Sequence, residues 1–207
     1  TVIRYQGSKC WEGFYSCDWE AFQQSKRKMG RPAFLFAGRL IKRKGLDILM
    51  KASRSYRQKA NSPWELWIAG TGLMEQDIKE EKGVVLKGFV QPNDLPQLFR
   101  EVSAFVLPSR VEPWGVVVHE ATAAGLPVIC SDTCGAGVHL VRNHFNGYIF
   151  KVDDIEQLAE QLLQISILEK EEWEALSRNS YSLSKQYHPS IWVKTLITGY
   201  KNLIDRA

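Results

Sequence analysis

Several common classes are excluded by what this chain of 207 residues lacks. No apolar run approaches the roughly 20 residues that a helix needs to span a bilayer, and the first residues carry no signal-peptide pattern. Cysteine is scarce: Cys10, Cys17, Cys130 and Cys134 are the only four. Cys130 and Cys134, followed by His139 and His144, superficially resemble a zinc ligand set. The hairpin-and-helix span of a finger is missing, however, and 127–130 reads as a core strand. Buried or free thiols in a reducing compartment are the better reading. A strong charge imbalance is also missing. The net charge of +4 does not by itself call for nucleic acid, and the interleaved basic and aromatic residues of an RNA reader are absent. The chain opens on Thr1 rather than methionine, from which we expect a piece of something longer.

Apolar and charged fractions are ordinary for a globular domain. Basic residues gather at Lys26-Arg27-Lys28 with Arg31, and again at Lys42-Arg43-Lys44. Such clusters are either solvated loop charge or attract an anionic ligand or acidic lipid head groups.

From Pro32 onward, short apolar runs alternate with helical patterns. Strands are expected at 33–37, 64–69, 84–86, 104–107, 128–129 and 148–150. Helices are expected at about 45–59, at 93–100 with Asn93 as cap, from within the 112–120 stretch with Glu112 just before the helix and Glu120 inside it, and through most of the chain after Ile155. Apolar strands alternating with helices predict an α/β fold: a doubly wound, Rossmann-like parallel sheet covered on both faces. In such sheets the ligand lies beyond the carboxyl ends of the strands.

The most informative stretch is Glu112-Pro-Trp-Gly-Val-Val-Val-His-Glu120. Eight residues at the helical rise separate its two carboxylates by about 12 Å. That span suits a ligand with hydroxyls at both ends and something between them, the build of a sugar nucleotide. A carboxylate accepts both protons of a vicinal diol. Between the two glutamates, the N–H groups of Trp114, Gly115 and Val116 lack partners in a first helical turn. The plainer alternative is that Glu112 caps the helix and Glu120 lies on a solvated face. Arg39, just beyond the first strand, offers a planar fork of donors, and Lys44 a mobile point charge. Together they suit a diphosphate.

The segments 38–45, 67–72, 87–90, 105–109, 112–120, 124–128 and 146–149 come in series. Together, over about 31–163, they resemble the C-terminal, donor-binding half of a GT-B-fold glycosyltransferase, of the retaining group called glycosyltransferase family 4. The resemblance implies that Arg39 and Lys44 hold the donor diphosphate and that Glu112 lies near the transferred sugar. Pro113, Trp114, Gly115 and Val116 would form the loop whose backbone N–H groups touch sugar and phosphate. Glu120 would bind the ribose hydroxyls, and the Val90 backbone would meet the base. Trp114 stands where an aromatic, often Phe, is usual. Gly135-Ala-Gly137 resembles a loop near the sugar.

It further implies a metal-independent hexosyl transfer without a cofactor, whose substrate is a nucleotide-diphosphate sugar. The leaving diphosphate would be stabilised by Arg39 and Lys44, with Glu112 either an orienting group, the favoured reading, or a covalent nucleophile. Residues 1–30 would enter from an N-terminal acceptor domain of the same protein, 31–170 would bind the donor, and 171–207 would pack back towards that acceptor domain. Trp192, Leu196 and Tyr200 are then expected to expose apolar surface. A cytoplasmic setting in polysaccharide biosynthesis, with association at the inner membrane face, accords with the family. Gly70-Thr-Gly72 supplies only two of the three glycines of a dinucleotide fingerprint. A sugar phosphorylase would need a pyridoxal phosphate lysine that is not evident. The main alternative is a non-catalytic α/β nucleotide-binding or regulatory module.

Overall fold

The computed structural model describes residues 13–24 and 27–204, so Cys10 and Lys26 lie outside the described residues. Six strands form one parallel sheet: Ala33–Ala37 (β1), Glu65–Ala69 (β2), Val84–Gly88 (β3), Ala104–Leu107 (β4), Val128–Ser131 (β5) and Gly147–Phe150 (β6). Their spatial order is β3-β2-β1-β4-β5-β6. Every residue of β1, β4 and β5 is buried, which is why these strands read as unbroken apolar runs rather than alternating ones. The edge strand β3 is only half-buried along its length.

The helices are Trp19–Phe22 (α1), Leu46–Lys59 (α2), Glu75–Ile78 (α3), Leu95–Glu101 (α4), Val116–Ala123 (α5), Gly135–Leu140 (α6), Ile155–Ser166 (α7), Lys170–Ser184 (α8) and Pro189–Ile204 (α9). From β1 the chain crosses over to β2, and from β4 it crosses the other way to β5. Right-handed crossovers in opposite directions put α2 and α5 on opposite faces of the sheet. α2 packs against α7, whereas α5 packs against α1, α6 and α8. β1 and β4 are neighbours, with Phe34 opposite Ala104 and Leu35 opposite Phe105. The direction of winding reverses between them, which opens a crevice at their carboxyl ends. Among the described residues no helix is long and apolar enough to cross a membrane.

Two expectations change. The fourth helix starts at Leu95 rather than Asn93. The N–H groups of Asp94 and Leu95 both turn back onto the Gln91 carbonyl, and Pro96 sits in the first turn, so Asn93 belongs to the preceding turn and caps nothing. Arg27, grouped above with solvated or ligand-seeking charge, is buried at 8% exposure. Its guanidinium donates to the carbonyls of Ala124, at 3.1 Å, and of Val102. It also lies 5.9 Å from the Trp173 ring. Burial, and secondarily Arg100, lowers its pKa to about 10. It closes the ends of α4 and α5 rather than meeting an anion. Trp173 of α8 is itself fully buried, and its indole N–H donates to the Ser103 carbonyl at 2.7 Å, which ties α8 to the start of β4.

Candidate functional site

A cavity of about 640 Å³ opens at the crevice. Its walls come from the end of β1 (Ala37, Gly38, Arg39), the end of β2 (Ala69–Gly72), Phe89 and Val90 after β3, and Val117 and Glu120 of α5. Gly70, at φ 137°, lies so close to Gly38 that a Cβ would overlap the Gly38 carbonyl oxygen. That approach is what lets the two loops share one floor. Phe89, 65% exposed and inside the 87–90 segment, and Leu73, 92% exposed and outside every segment singled out in sequence, stand in the cavity lining as large apolar groups.

Three of the predicted residues, Arg39, Val90 and Glu120, therefore line one cavity. Lys44 and Glu112 meet beside it. The Lys44 ammonium donates to Glu112 Oε2, and both side chains are largely buried. Ser109 Oγ donates to the same oxygen at 3.2 Å. The Lys44 stem crosses Gly38, its Cε 3.9 Å from where a Cβ would stand, which puts the cation next to the cavity floor. Lys44 rides on a 3-10 turn, Lys42–Lys44, that ends at Gly45 in the left-handed region (φ 72°). A Cβ on Gly45 would overlap the Pro108 carbonyl oxygen.

The stretch between the glutamates is built differently from a continuous helix. Glu112 lies in an isolated parallel bridge with Cys134, and α5 begins only at Val116. The 12 Å helical spacing does not apply, since only the second half of the stretch is helical. Nor does Glu112 cap α5: the cap is Gly115, at φ 92°, without a side-chain bond. A Cβ there would come 2.9 Å from Glu112 Cγ and 3.1 Å from Cys134 Sγ, so glycine allows the loop to fold over its own glutamate. The Gly135 and Ala136 N–H groups donate to the carbonyls of Glu112 (3.0 Å) and Trp114 (2.7 Å), which fastens the loop to the start of α6. Pro113 is exposed and its carbonyl abuts Gly135. Among the described residues, the N–H groups of Trp114, Gly115 and Val116 donate to no protein acceptor.

The Trp114 side chain turns away from the cavity into a cluster with Phe14 (stacked at 5.4 Å) and His139 (5.6 Å). Its indole nitrogen is buried without a hydrogen-bond partner among the described residues. Glu120 is half-buried, and withdrawal from water pushes its carboxyl up to about 7. Burial, followed by the Glu120 carboxylate, also pushes the nearby Cys17 thiol well above its ordinary range.

Sequence reading missed His119, next to Glu120 and completely buried. Its Nδ1 accepts the Cys17 N–H at 3.1 Å. Nε2 is then the protonated nitrogen, 3.0 Å from the Ser184 carbonyl. Burial lowers its pKa, so a neutral ring joins the 13–24 segment, α5 and the end of α8. No pattern in sequence could mark it, because its two partners lie 102 and 65 residues away.

The pattern of the family described as "Glycosyl transferases group 1" covers residues 18–183. The chain belongs to that family. An uncharacterized glycosyltransferase from Methanocaldococcus jannaschii is 33% identical to this group 1 chain over 156 residues, covering 70% of the chain and 39% of the relative. The chain spans less than half the length of the first curated relatives it matches. Among solved structures, Anabaena HepE in complex with UDP and glucose superposes with a TM-score of 0.72 at 22% identity, covering 91% of this chain and 55% of that one. The C-terminal domain of a group 1 glycosyl transferase (LpcC) from Francisella tularensis superposes with a TM-score of 0.64 at 23% identity, covering 84% and 94%. The fold of this group 1 domain is thus one Rossmann-like half of the GT-B architecture.

Proposed function

We propose that this chain is the donor-binding half of a retaining glycosyltransferase that moves a hexosyl group from a nucleoside diphosphate sugar to a glycan, lipid-linked or small-molecule acceptor. The observation that carries the reading is the shared cavity of Arg39, Val90 and Glu120 with the Lys44–Glu112 pair at its side. The ionised Glu120 accepts the two ribose hydroxyls, and the Val90 backbone meets the base. Arg39 and Lys44 hold the diphosphate, with the N–H groups of the 113–116 loop turned to phosphate and sugar. Negative charge grows on the leaving diphosphate as the anomeric bond breaks, and fixed cations stabilise that state more than the ground state. These two cations meet that demand from the protein's own side chains. Glu112, held by Lys44 and Ser109, orients the sugar. That solved neighbours carry UDP supports a nucleotide ligand in this fold.

On this reading the acceptor binds in a second, N-terminal domain of the same protein, towards which the 171–207 helices pack. The chain alone then binds donor but transfers sugar poorly. Isothermal titration with UDP, GDP, ADP and NADH tests it. One nucleoside diphosphate binds, and Glu120→Ala abolishes that binding. Tight NADH binding, or silence to all three nucleoside diphosphates, would sink the donor reading.

A further inference from the structure

Lys44 can hold a diphosphate only if something holds Lys44, and its own turn is poorly suited to do so. Lys42 and Arg43 of the 3-10 segment are exposed, and the segment sets no side chain of its own fully into the core. Its neighbour in space is Arg110, two positions before Glu112. The Arg110 backbone N–H donates to the Arg43 carbonyl at 2.8 Å, and its Nη1 donates to the Lys42 carbonyl at 2.8 Å. The same guanidinium grips Asp47, in the first turn of α2, through Nη1 at 2.8 Å and Nη2 at 2.9 Å. Its Nε donates to Asp153 Oδ1 at 2.8 Å. Asp153 adopts a left-handed backbone at φ 66° on the loop before α7. Such a conformation in a non-glycine residue is sparsely populated and persists where its surroundings impose it.

One planar fork thus ties together the cation-bearing turn, the helix that follows it and a loop from beyond β6. It does so from the base of the loop that carries Glu112. Two carboxylates balance its charge, so it acts by geometry rather than by adding positive potential at the cavity. Lysine has the charge but not the fork.

We propose that Arg110 is a positioning residue for Lys44: it sets where the lysine stands against Glu112 and hence how strongly the site holds a diphosphate. This rests on the donor reading above, in which Lys44 meets the diphosphate.

The test compares a nucleoside with the diphosphate of the same base, uridine against UDP and guanosine against GDP, by titration of the wild-type chain, Arg110→Lys, Asp47→Asn, Lys44→Met and the double variant Arg110→Lys with Lys44→Met. We expect Arg110→Lys to weaken the diphosphate about tenfold while nucleoside affinity holds, the size of one misplaced charge-assisted contact. Asp47→Asn, which loosens the fork from its other side, moves in the same direction. In the Lys44→Met background, Arg110→Lys costs nothing further. Equal losses for nucleoside and diphosphate, or full additivity of the two substitutions, would overturn the proposal by making Arg110 a general structural support.

A ligand-free measurement separates this from the donor reading. In Arg110→Lys, acylation of the Lys44 amine, followed by peptide mass spectrometry, rises several-fold while that of Lys59 and Lys87 does not. If no nucleotide binds the wild-type chain, the donor reading fails. The acylation result then decides whether Arg110 places Lys44.

Discussion

Glu120 carries two opposed dependences on pH. Burial raises its folded pKa from an ordinary 4.5 to about 7. A carboxyl raised on folding favours the folded state when protonated, so its contribution is full below about 4.5 and is lost as pH rises through 7. Acceptance of a diol by both oxygens needs the ionised form. Nucleoside diphosphate affinity should therefore rise as pH passes through about 7, after stability has fallen between about 4.5 and 7. Glu120→Gln should flatten that stability slope and bind weakly at every pH. Titration and urea unfolding at pH 5.5, 7 and 8.5 check both, and an unchanged slope in the variant would assign it to another group. The two glutamates stood out by residue type and by their place at a strand-to-helix crossover, although the helical spacing expected between them does not hold. Arg110 and His119 were not, since their roles lie wholly in partners distant in sequence.

The elements that form the site are short, and glycines set their joints. Gly45 and Gly88 both sit in the left-handed region, at φ 72° and 63°. A Cβ at Gly88 would meet nothing within 4 Å, whereas one at Gly45 would overlap the Pro108 carbonyl. Gly88→Ala should cost about 1 kcal/mol, the left-handed penalty alone. Gly45→Ala should cost more than about 2 kcal/mol, because the turn must also move. Denaturant melts compare them, and equal costs would show that the Pro108 contact yields freely. The strands were readable because their apolar runs are continuous, and α2 because its apolar face recurs at helical period. The start of α4 was misread because Asn93 resembles a cap, while the backbone instead spends it in a turn ahead of Pro96.

At the scale of the whole molecule, α9 stands apart from the core. Val193, Leu196, Ile197, Tyr200 and Ile204 are all exposed, spaced to form a stripe along one side of the helix. Trp192, expected among the exposed residues, is instead half-buried, lying against Gly13. On the proposed reading the stripe meets the acceptor domain. The isolated chain should then self-associate as its concentration rises, and Leu196→Lys with Ile197→Lys should keep it monomeric without lowering its melting temperature. Sedimentation velocity reads the first and calorimetry the second. Concentration-independent sedimentation of the wild type would remove the stripe as an interface.

By itself the sequence determined the α/β class and the strand positions, and it singled out two glutamates and two cations as candidates, because these follow from local periodicity and from the chemistry of single side chains. Only the tertiary structure decided that Lys44 rests on Glu112, that Trp114 faces an aromatic cluster instead of the cavity, and that Arg27 is structural. Each of those outcomes depends on which distant carbonyl, ring or carboxylate the winding of the sheet brings within about 3–6 Å, a range over which hydrogen bonds and aromatic contacts act.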